Sequence, residues 1–169
     1  MRSTAAVIAI ALCHVPPAHS QIKAQERVGV GVTPAARNVT HVTPADVARA
    51  LRGISAEANG VIFDAPPDGH AQFLLNRRSQ PSRVERHRDW DDIVIVRSGT
   101  GELRYGSIVD GDRAFGRGER RDGTIRRPAI APLAVGDVVR VPAGVAHQVV
   151  PTSADALVYL VVKVRRGLP

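Results

Sequence analysis

The residues best placed to do chemistry in this chain lie between Gly136 and His147, a stretch reading Gly-Asp-Val-Val-Arg-Val-Pro-Ala-Gly-Val-Ala-His. Gly136 and Asp137 predict a turn, Val138 to Val141 a β-branched strand, and Pro142-Ala143-Gly144 a reversal of the chain. His147 then enters a second strand, where it shares one face with Val145 and Val149 because side chains two apart point the same way. A histidine set among valines looks into an apolar interior, and a buried imidazole needs a partner. One such histidine by itself is commonly a satisfied core residue, so its chemistry depends on what meets it.

Composition narrows what that partner can be. Cys13 is the only cysteine, and it falls in an N-terminal segment whose sole charge is Arg2, whose Ala5–Cys13 run is apolar, and which ends in Ala18-His19-Ser20. This is the pattern of a secretory signal peptide over residues 1–20, cleaved near Ser20, and it predicts a periplasmic or secreted protein with no stable membrane insertion once the signal is gone. An uncleaved N-terminal anchor is the competing reading, and the bulky Leu12 before Cys13 argues against a lipid anchor. A mature chain without cysteine has neither disulfides nor thiolate ligands, so a metal would have to be held by histidine and carboxylate. The formal charge of +7, falling to +6 without Arg2, is strongly basic. Yet Phe63, Phe73, Trp90, Tyr105, Phe115 and Tyr159 are the only aromatic residues, too few to stack bases beside the arginines, so no nucleic-acid partner is expected.

The elements that must position these residues can be read coarsely. Residues 21–42, with Gly29, Gly31 and Pro34, predict an extended N-terminal arm, and residues 43–169 one barrel domain. Thr43 as cap, Pro44, Asp46 and a stop at Gly53 predict a short helix with Val47, Ala50 and Leu51 on its apolar stripe. Strand-like runs follow at Val61–Phe63, Ala71–Asn76, Ser82–Arg88, Ile93–Val96, Glu102–Tyr105, Val138–Val141, Ala146–Val150 and Ala156–Val164. Many short strands and one helix make the fold class all-β, an antiparallel sandwich or barrel. The Gly- and Arg-rich segment between Gly106 and Arg127 reads as a long loop, either merely solvated or lying over the barrel mouth with Arg113, Arg117, Arg120 or Arg121 toward an acidic ligand.

The Gly136–His147 stretch resembles the second motif of the cupin superfamily, in which Gly, Pro, Gly and a metal-binding His recur at the spacing of Gly136, Pro142, Gly144 and His147. The motif's later Asn falls at Pro151, a departure. The superfamily's first motif is degenerate here: aligned on Gly99, His87 takes the place of its second His, Glu85 that of its first His, and Asp92 that of its Glu. The resemblance spans roughly Ala71 to Val164. It implies a double-stranded β-helix (jelly-roll) barrel, often a homodimer, with one divalent metal held by Glu85, His87, Asp92 and His147. Glu85 and His87 are two apart on one strand and can converge on a single ion. Asp92 shares a face with Val94 and Val96, whereas its neighbour Asp91 points the other way. Carboxylate and imidazole ligands suit Mn, Fe, Ni or Zn. The competing account is a barrel that has lost its metal, with Glu85 paired to an arginine and Asp92 a turn residue.

The resemblance implies a metal-dependent oxygenase, isomerase or lyase acting on a small organic ligand. The alternative is a binding module that holds a small molecule or metal without changing it. No nucleophilic triad is visible, since no serine sits in an elbow turn. Trp90 suits packing over a loop or lining a pocket rim, and His14, His19, His41 and His70 are assigned no role.

Overall fold

The computed structural model describes residues 41–54, 60–64 and 70–167. The expected signal segment 1–20, with Cys13, and all of the expected N-terminal arm but residues 41 and 42 lie outside them.

One helix, α1 (Pro44–Gly53), opens the described chain. It starts where the sequence requires: the Thr43 hydroxyl accepts from the Asp46 amide, and the Asp46 carboxylate accepts from the Thr43 amide, closing a capping box that satisfies two orphan donors. Its buried Ala50, with Ile54 just beyond, packs on Leu75 and Val158, which project from the outer face of a sheet.

Thirteen strands follow: β1 (Val61–Asp64), β2 (Ala71–Arg78), β3 (Glu85–His87), β4 (Trp90–Ser98), β5 (Gly101–Gly106), β6 (Val109–Asp110), β7 (Arg113–Gly116), β8 (Glu119–Arg121), β9 (Thr124–Ile125), β10 (Ala129–Leu133), β11 (Val138–Val141), β12 (Ala146–Pro151) and β13 (Leu157–Arg165). All pairings are antiparallel, in a five-stranded sheet ordered β1-β2-β13-β4-β11 and a six-stranded sheet ordered β10-β5-β12-β3-β8-β7, with β6 and β9 paired apart. The expected all-β class and short N-terminal helix are therefore what the structure shows.

The two sheets face each other across one core. Leu74, Val94, Val96, Val141, Tyr159 and Val161 come from the first sheet, and Leu103, Leu133 and Val149 from the second. Strand parity sorts the side chains: on β4, Asp92, Val94 and Val96 are buried, while Ile93 and Ile95 are only partly covered. The central β13 has no such alternation, because its other face is roofed by α1, and it accordingly reads as a near-continuous apolar run. Gly99 turns β4 into β5 at φ +75°, and a Cβ there would come within 2.9 Å of the Ala156 carbonyl, so the turn requires glycine.

The segment 107–127 departs from the expected loop. It forms β6 to β9, and β8 extends the six-stranded sheet by pairing with β3. The strands are two to four residues long and hold at most one or two apolar residues each, such as Val109, Phe115 and Ile125, so hydrophobic periodicity is silent there. Their arginines are engaged within the fold: Arg113 with Asp122, and Arg120 with Asp112. Strand β10 was also hidden, by Pro132; it lies at the edge of its sheet, where a proline costs no ladder bond.

Candidate metal centre

Short strands of the six-stranded sheet bring the polar residues of the interior together. On β3, Glu85 lies directly opposite His147 of β12 on one side and Arg121 of β8 on the other, and His87 lies opposite Glu119 of β8. The turn before β12 is tied in as well, since the Gly144 amide donates to the His87 carbonyl at 2.7 Å. From the facing sheet come Asp92 of β4 and Lys163 of β13, themselves register partners. His87 and His147 thus meet because β3 and β12 pair within one sheet, and Asp92 joins them because the two sheets face one another.

The two imidazoles are buried, with ring centroids 5.4 Å apart and planes inclined at 60°. Their outer nitrogens are both engaged. His87 Nδ1 lies 2.5 Å from Glu119 Oε2, and His147 Nδ1 lies 3.2 Å from the Val145 carbonyl. Carboxylate and carbonyl oxygens accept, so each Nδ1 carries a proton and each Nε2 is the nitrogen left to face the interior. His87 Nε2 has no hydrogen-bond partner although it is buried. It stands 3.4 Å from Asp92 Oδ2, in ion-pair range but without hydrogen-bond geometry, and 3.9 Å from Glu85 Oε2. His147 Nε2 lies 3.6 Å from the same Asp92 oxygen. One ligand atom each from Glu85, His87 and His147 falls within 4.8 Å of the others.

The structure brings all four sequence-predicted residues to one place, and it adds Glu119 and Lys163, which the sequence reading did not include, and Arg121, which that reading placed in a loop facing solvent or an acidic ligand. Glu119 orients His87. Arg121 Nε stands 3.5 Å from Glu85 Oε1, so one oxygen of Glu85 faces the guanidinium and the other faces His87. Lys163 Nζ contacts both oxygens of Asp92, at 2.7 and 2.9 Å. The arginine partner that the metal-free account gave Glu85 is therefore present alongside the cluster, but Asp92 is a buried strand residue rather than a turn residue. Asp91 points outward, as parity requires, and holds Arg140, Arg166 and the Ala143 amide. Trp90 opens β4 with the Arg165 guanidinium 5.9 Å from its ring.

A signal for Lys163 was available. It shares the inward face of β13 with Tyr159 and Val161, and a charge on an inward position demands a counter-charge. Glu119 carried no such signal, lying among arginines in a segment that read as loop.

Electrostatics follow from this packing. Burial opposes charge on His87, but Asp92 and Glu119 outweigh it and raise its pKa to about 9. Burial likewise opposes charge on Asp92, yet His147, His87 and Lys163 hold its carboxyl far below the usual carboxylate range. Glu119 is also lowered, with the contact to His87 overcoming burial.

The donor set fits a divalent cation. Two imidazole Nε2 atoms and a carboxylate oxygen converge in a buried place, one of those nitrogens is an orphan in the folded protein, and each ring is held from behind by an acceptor on Nδ1, as metal-ligating histidines characteristically are.

No family model matches the chain, and no curated protein sequence matches it. Solved structures do. BH2720 from Bacillus halodurans aligns at 16% identity over 78% of this chain and 86% of that one, with a TM-score of 0.55. The protein NMB1881 from Neisseria meningitidis aligns at 13% identity over 74% and 99%, with a TM-score of 0.51. Hydroquinone 1,2-dioxygenase PnpCD, solved in complex with Cd2+ and 4-hydroxybenzonitrile, aligns at 17% identity over 76% and 80%, with a TM-score of 0.52. At such identities the likeness is one of fold. Two antiparallel sheets closed around an internal histidine pair, together with these likenesses, give the chain the cupin fold.

Proposed function

We propose that this protein is an exported cupin that binds a divalent metal through His87, His147 and Glu85, with Asp92 beside the ion, and that presents it to a small organic ligand in a metal-dependent oxygenase, isomerase or lyase reaction. The observation that carries this reading is the buried, unpartnered Nε2 of His87, aimed at the same place as the Nε2 of His147 and flanked by the Glu85 carboxylate. Two imidazoles and one carboxylate form the set found in sites that leave coordination positions open for substrate.

When bound, the ion supplies Lewis-acid or redox chemistry at those open positions. The protein's own part is to hold the ligands. Glu119 holds the proton on Nδ1 of His87 and Val145 O that on Nδ1 of His147, so both rings turn Nε2 toward the cluster, and metal binding displaces the proton that His87 Nε2 carries at neutral pH. Arg121 restrains one Glu85 oxygen, leaving the other toward the histidines. On the same strand faces Asp92 is followed by buried Val94 and Val96, and His147 by buried Val149. The fold shared with a dioxygenase solved with Cd2+ supports a metal-dependent reading without choosing the reaction. Export rests on the N-terminal pattern of residues 1–20.

Metal analysis of protein purified without an affinity tag tests the proposal. One equivalent of divalent metal in wild type, lost in both His87→Ala and His147→Ala, is the expected result. Wild type free of metal after incubation with Mn, Fe, Ni and Zn salts would sink it. Turnover across small organic acids and phenols by the loaded protein separates an enzyme from a binding module.

A further inference from the structure

The interior pair of Lys163 and Asp92 is not explained by stability. A buried ion pair must repay the desolvation of both partners, and apolar residues of similar volume commonly serve the fold as well. Here the pair lies within the cluster itself: the Asp92 oxygen that Lys163 holds at 2.9 Å is the one within 3.6 Å of both histidine Nε2 atoms.

The charges in this connected set can be counted. Glu85, Asp92 and Glu119 are negative, and Lys163 and Arg121 are positive. With a divalent ion and neutral imidazoles, the set carries one net positive charge. Without Lys163 it would carry none, because the carboxylates would cancel the ion and Arg121 together. Charges a few ångströms apart in a partly desolvated site interact far more strongly than in water, so this one unit decides which ligands the centre attracts.

We infer that Lys163, by gripping both oxygens of Asp92, keeps the loaded centre positively charged and makes it a receptor for a small organic monoanion, specifically a carboxylate. The inference rests on the metal reading above and adds the charge of its ligand. Lys163 holds Asp92 and acts on the ligand through its charge in this scheme, not as a ligand of the ion.

Cobalt(II)-loaded full-length protein, whose visible absorption reports on the ion's ligands, provides the test, with acetate as probe and acetamide as its neutral counterpart. Acetate is expected to shift the spectrum of wild type at concentrations where acetamide does not. Lys163→Met should weaken acetate binding about tenfold while cobalt is held as tightly or more tightly, since a repelling charge has gone. A merely structural role would weaken both. The double variant Asp92→Asn with Lys163→Met removes one charge of each sign and should regain the acetate affinity of wild type. Asp92→Asn alone should bind acetate about tenfold more tightly, which keeps the test decisive if Lys163→Met fails to fold. Equal acetate affinity in wild type, Asp92→Asn and the double variant would overturn the inference, as would wild type that binds acetamide as well as acetate. Wild type that takes up no cobalt would instead defeat the metal reading beneath it.

Discussion

Glu119 of β8 stands directly across the sheet from His87 of β3, and its Oε2 lies 2.5 Å from His87 Nδ1. A carboxylate behind a ligating imidazole fixes the ring's tautomer and raises its basicity. Glu119→Ala is therefore expected to weaken divalent-metal binding by about 10- to 100-fold, read by competition with a chromophoric chelator. Metal affinity unchanged in that variant would show that the contact does not serve the centre.

His87 also links pH to stability in the metal-free protein, because burial is outweighed by Asp92 and Glu119, which together favour its charged form. The pKa of His87 is raised from its ordinary 6.5 to about 9, so the folded state holds a proton that the unfolded chain has released. The stabilisation is fully present below the unfolded value and fades as pH rises through the folded one. Chelator-treated protein should accordingly lose stability between pH 7 and 10, by on the order of 3 kcal/mol from this group. Urea midpoints across that range check it, and His87→Gln should flatten the slope.

Gly99 closes the turn on which the first-motif alignment was anchored. Its φ of +75° and the 2.9 Å approach of a notional Cβ to the Ala156 carbonyl leave no room for a side chain. Gly99→Ala should cost more than about 1 kcal/mol, measured by urea unfolding, and a variant as stable as wild type would contradict the turn geometry.

At the start of α1, Thr43→Ala removes the hydroxyl that accepts from the Asp46 amide. A loss of about 1 kcal/mol is expected, with metal binding untouched because the helix sits on the outer face of the five-stranded sheet. Coupled loss of metal would mean that the helix and the centre are not independent.

Export has a simple readout. Full-length chain expressed in a Gram-negative host should be recovered from the periplasm or medium with a mass that begins near Gln21. Intact mass retaining Met1 would favour the uncleaved anchor.

Much of this molecule was legible from one dimension. Capping chemistry at Thr43 and Asp46 set the helix start, and the β-branched runs marked the central strands. Parity placed Asp92 inward and Asp91 outward, and it set His147 on the face of Val145 and Val149. These are local properties, fixed by the period-two geometry of a strand. What stayed hidden was short or charged. Strand β8, three residues long, carries no apolar signal, so Glu119 and Arg121 read as loop residues until a neighbouring strand hydrogen-bonded to them.

The tertiary structure alone decided which charges meet. Glu85 reaches His147, and Asp92 reaches both rings, only because strands distant in sequence pair in one register and two sheets close face to face. Lys163 lies 71 residues from Asp92, and no sequence spacing couples them; their contact exists because β13 runs beside β4. A strand's own sequence determines which side of the sheet each residue faces, but the neighbour it finds there depends on sheet order, and sheet order is a property of the whole fold.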